Sequence, residues 1–147
     1  MKAGIDPGFA GAIAILDGDN TLVNVYDMPV IDIGKKKELD GQEIISILKE
    51  NEVKYVNIEK AQTMPGQGIV SAGNYLKNYG YILGILCALK IPYQEIHPAT
   101  WKKKMLSDMP KEKEASILKC KQLYPEWRFE RKKDHGICDA ILIASLP

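Results

Sequence analysis

The spacing of apolar and polar residues along this chain changes in a way that predicts an α/β fold. Near the N-terminus, three short runs of small and β-branched residues are separated by turn-forming residues such as Pro7-Gly8 and Gly18-Asp19. We expect these runs, Met1–Asp6, Phe9–Leu16 and Thr21–Met28, to form three strands. Because short turns join them, they should make an antiparallel meander.

The rest of the chain alternates between helix and strand. Asp40 has the side chain of an N-cap, with Glu43 as its capping-box partner, and a helical stripe of apolar residues then runs to about Asn51. Further strands are predicted at Val53–Glu59 and Tyr93–His97, and loops at Ile31–Leu39 and Ala61–Gly68. The remaining helices are predicted at Val70–Leu89, which reads as buried, at Pro98–Trp101, Lys113–Tyr124 and Gly136–Leu146. The result is a mixed five-stranded sheet flanked by helices.

Length and composition are consistent with one globular domain spanning residues 1–147. The chain is 46% hydrophobic, and its longest apolar run is shorter than the ~20 residues that a membrane span needs. The N-terminus enters a strand pattern directly, without the layout of a signal peptide. Cys87, Cys120 and Cys138 lack metal-type spacing, so we expect reduced thiols and a cytoplasmic location.

The formal net charge of +1 conceals an uneven distribution of charge. Residues 1–100 contain 9 Lys and Arg against 12 Asp and Glu, a net of −3, whereas residues 101–133 contain 11 against 5, a net of +6. A basic segment on a slightly acidic chain suggests contact with a polyanion on one side. A solvated basic face would give the same pattern.

Three acidic residues lie at the ends of predicted elements, where they can meet. Asp6 ends the first strand, Glu59 ends the fourth, and Asp139 lies near the start of the last helix, four residues after His135. If the first and fourth strands are neighbours, their carboxylates share one edge of the sheet. Such clusters suit Mg²⁺ and phosphodiester hydrolysis. Individually, Asp6 could be a turn residue, Glu59 a surface residue and Asp139 an N-cap.

Several motifs, in order along almost the whole chain, resemble a known family. Gly4–Gly8, followed by Gly11–Ala14, resembles the opening of the RuvC-type Holliday junction resolvases, and Ile58-Glu59-Lys60 is similar to their second motif. Three further stretches resemble a bacteriophage branch of that family. These are Met64–Gly68, His97–Lys102 and Asp134–Ala140.

This resemblance implies a ribonuclease-H-like fold and a homodimer. It implies that branched DNA, above all the four-way junction, is cleaved with Mg²⁺ or Mn²⁺, two ions per site, during recombination and repair. Asp6, Glu59 and Asp139 would be the metal ligands. A phage-encoded protein would act in the cytoplasm of its bacterial host.

The sequence departs from the family at the fourth ligand. Bacterial members often carry Asp or His three residues before the last ligand, and here that position is Gly136. His135 is our preferred substitute, with Asp134 as the alternative. The family also uses two lysines, eleven residues apart, near the scissile phosphate, and Lys102 and Lys113 have that spacing.

Further DNA contacts are expected from two lysine clusters and two apolar side chains. Lysines would bind phosphates, Trp101 would either stack on an exposed base or pack in the core, and Met64 could act as a wedge. The helix at Val70–Leu89 is either a dimer surface or a helix buried within its own domain. The predicted DNA-binding residues are Lys35, Lys36, Lys37, Met64, Trp101, Lys102, Lys103 and Lys104.

Three other functions remain open at this point. The opening motif also resembles actin- and sugar-kinase-like ATPases, although these enclose the nucleotide between two domains. A nuclease acting on structured RNA would keep the fold and change the substrate. A branched-DNA-binding protein with weak or no catalysis would lack the fourth ligand. ATP turnover, RNA cleavage and metal-dependent nicking of DNA distinguish these possibilities.

Overall fold

The computed structural model describes residues 1–147, which form seven strands and five helices. The strands are β1 (Lys2–Asp6), β2 (Ala12–Leu16), β3 (Leu22–Asp27), β4 (Val30–Ile33), β5 (Lys36–Leu39), β6 (Tyr55–Glu59) and β7 (Tyr93–Ile96). The helices are α1 (Gly41–Glu50), α2 (Ile69–Ala88), α3 (Pro98–Met105), α4 (Ala115–Leu123) and α5 (Asp134–Ala144). None of the helices combines the length and the apolarity that a membrane crossing requires.

Five strands form one mixed sheet in the order β3-β2-β1-β6-β7. The pairs β1–β2 and β2–β3 are antiparallel, whereas β1–β6 and β6–β7 are parallel. This arrangement confirms the predicted mixed five-stranded sheet with its three-stranded meander. Ile5 pairs with Ile58, so the next residues, Asp6 and Glu59, leave neighbouring parallel strands at the same edge.

Helices cover both faces of the sheet, and the alternation along β2 shows how. Ala12, Ala14 and Leu16 belong to one buried cluster, with residues of α5, α4 and α3. Ile13 and Ile15 belong to the other, with residues of α1 and α2. Because both faces are covered, every residue of β2 is buried, as expected for a central strand.

Helix α5 lies very close to the sheet because glycines replace side chains at the contact. A Cβ on Gly4 of β1 would collide with the backbone oxygen of Ala140 and with Ala144. The first turn of α5 approaches the β1–β2 turn in the same way at Gly136, where a Cβ would collide with the carbonyl of Ala10. Asn57 of β6 holds the C-terminal end of α5, since its side-chain amide donates a hydrogen bond of 3.0 Å to the Ile143 carbonyl.

Two sequence predictions about elements were wrong. Ile31–Leu39 is a two-stranded antiparallel hairpin, β4–β5, and not a loop; Gly34, with a φ of 66°, makes the turn. The pattern concealed these strands because β4 is exposed along its whole length and β5 is mostly charged. Helix α3 also continues beyond Trp101 to Met105.

Helix α2 was predicted to be buried, and that prediction was also wrong. Its buried residues are only Asn78, Ile82, Ile85 and Leu86, and Ile69 is 90% exposed. The helix is apolar on most of its circumference, so the sequence alone does not distinguish the side that packs on the sheet.

The glycine contact of α5 gives a stability prediction. Gly136→Ala should lower the free energy of unfolding by about 2 kcal/mol or more, because the new methyl group meets backbone atoms that cannot move aside easily. Gly18→Ala, in the turn between β2 and β3, is the matched control, since a Cβ there meets nothing within 4 Å. It should change the free energy of unfolding by less than about 0.5 kcal/mol. Urea unfolding of both variants checks the difference, and equal effects would contradict the close approach of α5.

Candidate active site

Three carboxyl groups from distant parts of the sequence form one cluster at the edge of the sheet. Asp6 is the last residue of β1, Glu59 is the last residue of β6, and Asp139 lies in the second turn of α5. Burial, together with the charges of Glu59 and Asp139, raises the pKa of Asp6 from 3.8 to about 7. The backbone N–H of Gly8 and the charge of Lys102 oppose this rise. The carboxylates are therefore close enough to repel one another.

Two aromatic side chains hold Glu59. The indole Nε1 of Trp101 donates a hydrogen bond to Glu59 Oε2 at 2.6 Å, and the hydroxyl of Tyr75 in α2 lies beside this carboxylate. Burial, and then the charge of Asp139, raises the pKa of Glu59, while both donors and Lys102 lower it. Burial beside Glu59 and Asp6 also raises the pKa of the Tyr75 hydroxyl, so it stays protonated as a donor.

Asp139 is surrounded by groups that favour its ionised form. Burial raises the pKa of Asp139, whereas a hydrogen bond from Ser116 and the charges of Lys102 and His135 lower it. His135 precedes Asp139 by four residues on α5, so both side chains lie on one face of the helix. The structure thus places His135 beside the cluster.

Asp134, the alternative fourth ligand, belongs to a different network. Its side chain is 3% exposed and accepts hydrogen bonds from the backbone N and the Nε of Arg131, at 2.8 and 2.7 Å. The same guanidinium bonds to both carboxylate oxygens of Asp27 at 2.9 Å. Asp134 therefore fixes the start of α5. At position 136 a ligand side chain has no room, because α5 packs there against Ala10.

The predicted lysines differ in their relation to the cluster. Lys102 of α3 is among the charges that shift the pKa values of all three carboxyl groups, and Lys113 is not. Lys113 is exposed in the turn before α4. The other predicted lysines are exposed on the hairpin or on α3, namely Lys35, Lys36, Lys37, Lys103 and Lys104.

Trp101 requires a correction. It was included among the DNA-binding residues as a possible stacking surface, but its side chain is 0% exposed and lies in the core cluster beneath α5. It cannot stack on a base without leaving that core. Met64, in the loop after β6, is 65% exposed and remains accessible.

The donor atoms of the cluster suit a hard divalent cation. Carboxylate oxygens are the preferred ligands of Mg²⁺ and Mn²⁺. The pKa of Asp6 is raised by burial and then by the charges of Glu59 and Asp139, which Lys102 only partly offsets. With the side chains as they stand, no three Asp, Glu, His or Cys residues converge on one point as ligands of a single ion. The carboxylate oxygens fit such a cation chemically. Binding it would require the side chains of the cluster to rotate, at positions that the fold already brings together.

Two residues of the cluster were missed at the level of sequence. Tyr75 is one of several apolar and aromatic residues of α2, and nothing in the spacing showed that it faces Glu59. Ser116 lies in a lysine-rich segment, and it is buried, with only 7% of its surface exposed, because α4 packs on α5. Both depend on the docking of helices, for which the sequence carries no local signal.

The charge repulsion gives a second prediction. Asp6→Asn should raise the melting temperature in EDTA at pH 8, because the ionised Asp6 carboxylate destabilises the folded protein. In the folded protein the pKa of Asp6 is about 7, above the ordinary 3.8. The protonated carboxyl group therefore stabilises the folded protein below about pH 4, and this contribution is lost as the pH rises through 7. The gain should be several degrees at pH 8, at about 3 °C per kcal/mol, and should nearly vanish at pH 4.

Thermal unfolding followed by circular dichroism measures this difference. Asp32→Asn, on the exposed strand β4, is the control and should leave the melting temperature unchanged at both pH values. A lower melting temperature of Asp6→Asn at pH 8 would contradict the claim that the ionised Asp6 carboxylate destabilises the folded protein.

Comparison with known proteins identifies the fold. A scan against protein-family models and a search of curated proteins find no match to this chain. Among solved structures, "T. thermophilus RuvC in complex with Holliday junction substrate" superposes with a TM-score of 0.72 at 17% identity, covering 97% of this chain and 89% of that one. A second Thermus thermophilus RuvC structure gives 0.60 at 17% identity, covering 97% and 90%. The chain therefore has the fold of the RuvC-type Holliday junction resolvases.

Proposed function

We propose that this protein is a metal-dependent endonuclease that nicks branched DNA, with the four-way junction as its principal substrate. The observation that carries the proposal is the cluster of Asp6, Glu59 and Asp139 with Lys102 beside it, at one edge of the sheet. The fold supports it, since a RuvC of the same architecture is known in complex with a Holliday junction substrate.

The proposed chemistry divides between bound metal ions and the residues of the chain. Asp6, Glu59 and Asp139 would hold Mg²⁺ or Mn²⁺, with His135 at the fourth position. Two such ions, when bound, supply an activated water and stabilise the leaving oxygen. Trp101 and Tyr75 keep the Glu59 carboxylate oriented. The flexible, exposed side chain of Lys102 neutralises the phosphate as it enters the cluster.

Contacts away from the cluster would come from basic and apolar surface residues. Lys103 and Lys104 continue from Lys102 along α3, and Lys113 lies in the turn before α4. Lys35–Lys37 form the tip and one strand of the β4–β5 hairpin. We propose that these lysines bind phosphates, and that Met64 contacts bases at the branch.

A second copy of the chain would bind along the open side of α2. Gly73, Gly80 and Gly84 lie on one side of this helix, where an added Cβ would meet nothing within 4 Å. Leu76, on the same side, is 44% exposed. Small residues allow two helices to approach closely, and a symmetric dimer presents two equal sites to the two strands of a junction.

The first test is cleavage of a labelled synthetic four-way junction and its matched linear duplex, with Mg²⁺, with Mn²⁺ and with EDTA. We expect paired nicks on the junction, only with metal. Cleavage of structured RNA in preference to DNA would change the substrate class. Tight junction binding with no cleavage under any metal would leave a binding protein, and ATP turnover would indicate a different enzyme class.

The same assay with Glu59→Gln ties the activity to this cluster. The substitution removes a charge that attracts metal and keeps the side-chain shape, so cleavage should fall at least 1,000-fold while junction binding persists. Glu38→Gln, on the hairpin, is the control and should cleave normally. Full activity of Glu59→Gln would exclude Glu59 from the site.

Lys102→Ala separates a phosphate contact from a packing role. Its side chain is exposed, so the fold should remain intact while cleavage falls about 10- to 100-fold. Any loss of junction affinity should shrink as salt rises from 50 to 200 mM, because lysine–phosphate contacts act through release of counterions. Lys49→Ala on α1 is the control. A defect of Lys102→Ala in affinity that is independent of salt would argue for packing.

A further inference from the structure

The loop that follows β6 is tied to the rest of the protein through one side chain. Two of the hydrogen bonds of residues 61–67 stay within the loop, from the Gln67 N to the Met64 carbonyl and from the Met64 N to the Gln67 side chain. The one hydrogen bond that leaves these residues joins the Gln62 side chain to the His97 ring. Because so few bonds hold the loop, this contact determines how it lies against α3.

His97 is also the N-cap of helix α3. Its Nδ1 accepts a hydrogen bond of 3.3 Å from the backbone N of Ala99, which is the first N–H of the helix because Pro98 has none. Its backbone carbonyl accepts from Thr100 at 2.9 Å and from Trp101 at 3.3 Å. His97 therefore fixes the first turn of α3 through both its side chain and its backbone.

The two contacts of the His97 ring determine which nitrogen carries its proton. A neutral imidazole has one N–H and one acceptor nitrogen. Since Nδ1 accepts from Ala99, the proton is on Nε2, which faces the side-chain amide of Gln62. Nε2 then donates to the amide oxygen of Gln62, and both ring nitrogens are used.

A side chain that served only as a helix cap would not need to be an imidazole. Ser, Thr, Asp and Asn are the preferred caps, and each bonds to the helix through a short side chain. None of them is long enough to cap the helix and also reach Gln62. The imidazole has polar atoms on different sides of its ring, so His97 can join two elements at once.

The two elements that His97 joins both hold Glu59. The loop continues the chain beyond Glu59, and α3 carries Trp101, whose indole N–H donates to the Glu59 carboxylate at 2.6 Å. The contacts thus close a ring around Glu59, since the loop leads to Gln62 and the helix leads back through Trp101. Displacement of either element would turn the Glu59 carboxylate away from Asp6.

We propose that His97 is a positioning residue of the active site, which holds Glu59 in place by joining the loop after β6 to the start of α3. The importance of His97 for cleavage rests on the proposed function, because Glu59 is one of the three proposed metal ligands. His97 acts through Gln62 and Trp101, and not on the reacting atoms.

Two single substitutions break the contact from its two sides. Gln62→Ala, in the exposed loop, leaves α3 unaltered, and His97→Asn keeps a preferred helix cap but is too short to reach the loop. We expect each to lower the single-turnover rate of junction cleavage about 3- to 10-fold, as for the loss of one hydrogen bond, while junction affinity stays within about twofold. Gln122→Ala, at an exposed position of α4, is the matched control and should cleave at the unaltered rate.

A double variant tests whether the two side chains act as one unit. Because both substitutions break the same contact, Gln62→Ala combined with His97→Asn should cleave no more slowly than either single variant. Rate losses that multiply would show independent roles, and full activity of His97→Asn would show a cap alone. Either result would overturn the inference.

Nuclear magnetic resonance of the metal-free protein detects the same contacts without cleavage. The indole N–H of Trp101 should change its chemical shift and exchange faster with solvent in both single variants, because its bond to Glu59 loosens. The chain has two tryptophans, and the indole N–H of Trp127 is the internal reference that should stay unchanged. The His97 ring should carry its proton on Nε2 at a pH where imidazole is neutral. A proton on Nδ1, or an unaltered Trp101 signal, would contradict the proposed role.

The two proposals fail in different ways. Metal-dependent nicking at one rate in the unaltered protein and in both variants would overturn the role of His97 and leave the nuclease. A Trp101 signal that responds to both variants, with no cleavage of the junction under any metal, would overturn the nuclease and support the positioning of Glu59.

Discussion

The site depends on the close packing of α5 against the central strand β1. Gly4 leaves no side chain between them, so the helix backbone comes into contact with the sheet at Ala140 and Ala144. Gly136 repeats this contact at the start of the helix, and Asn57 holds its end through the Ile143 carbonyl. Asp139 is thereby carried to the edge where Asp6 and Glu59 leave the sheet. A larger residue at either glycine would move the third carboxylate away from the other two.

The same packing creates an electrostatic cost. Burial, together with the charges of Glu59 and Asp139, raises the pKa of Asp6 to about 7, and Lys102 is too exposed to neutralise the cluster. The protein compensates elsewhere, because two apolar clusters cover both faces of the sheet. Trp101 links stability to the site, since it fills the core beneath α5 while its N–H fixes Glu59. The two apolar clusters therefore supply the stability of the fold, and the electrostatic cost is confined to one edge of the sheet.

The sequence was sufficient for the sheet and for the meeting of its carboxylates. Asp6 and Glu59 follow apolar strand patterns, and parallel neighbours must end at the same edge. It was insufficient wherever helix docking decides. Trp101 was included among the DNA-binding residues because lysines follow it, with core packing as the alternative, and its side chain is buried in the core. The hydrogen bonds of Asp134 and the position of Tyr75 beside Glu59 also depend on contacts between elements that are distant in sequence. The hairpin was missed because its strands bury almost nothing.

The electrostatic cost at this edge contributes nothing to the stability of the fold. Burial, together with the charges of Glu59 and Asp139, raises the pKa of Asp6 to about 7, so the three carboxyl groups oppose one another's ionisation. Residues that served packing alone would not require this arrangement, because apolar side chains at the same positions would fill the space without burying charge. A divalent cation held by the carboxylates would offset the cost, since it favours their ionised forms. We therefore place the proposed function at the carboxylate edge of the sheet and not at the basic hairpin.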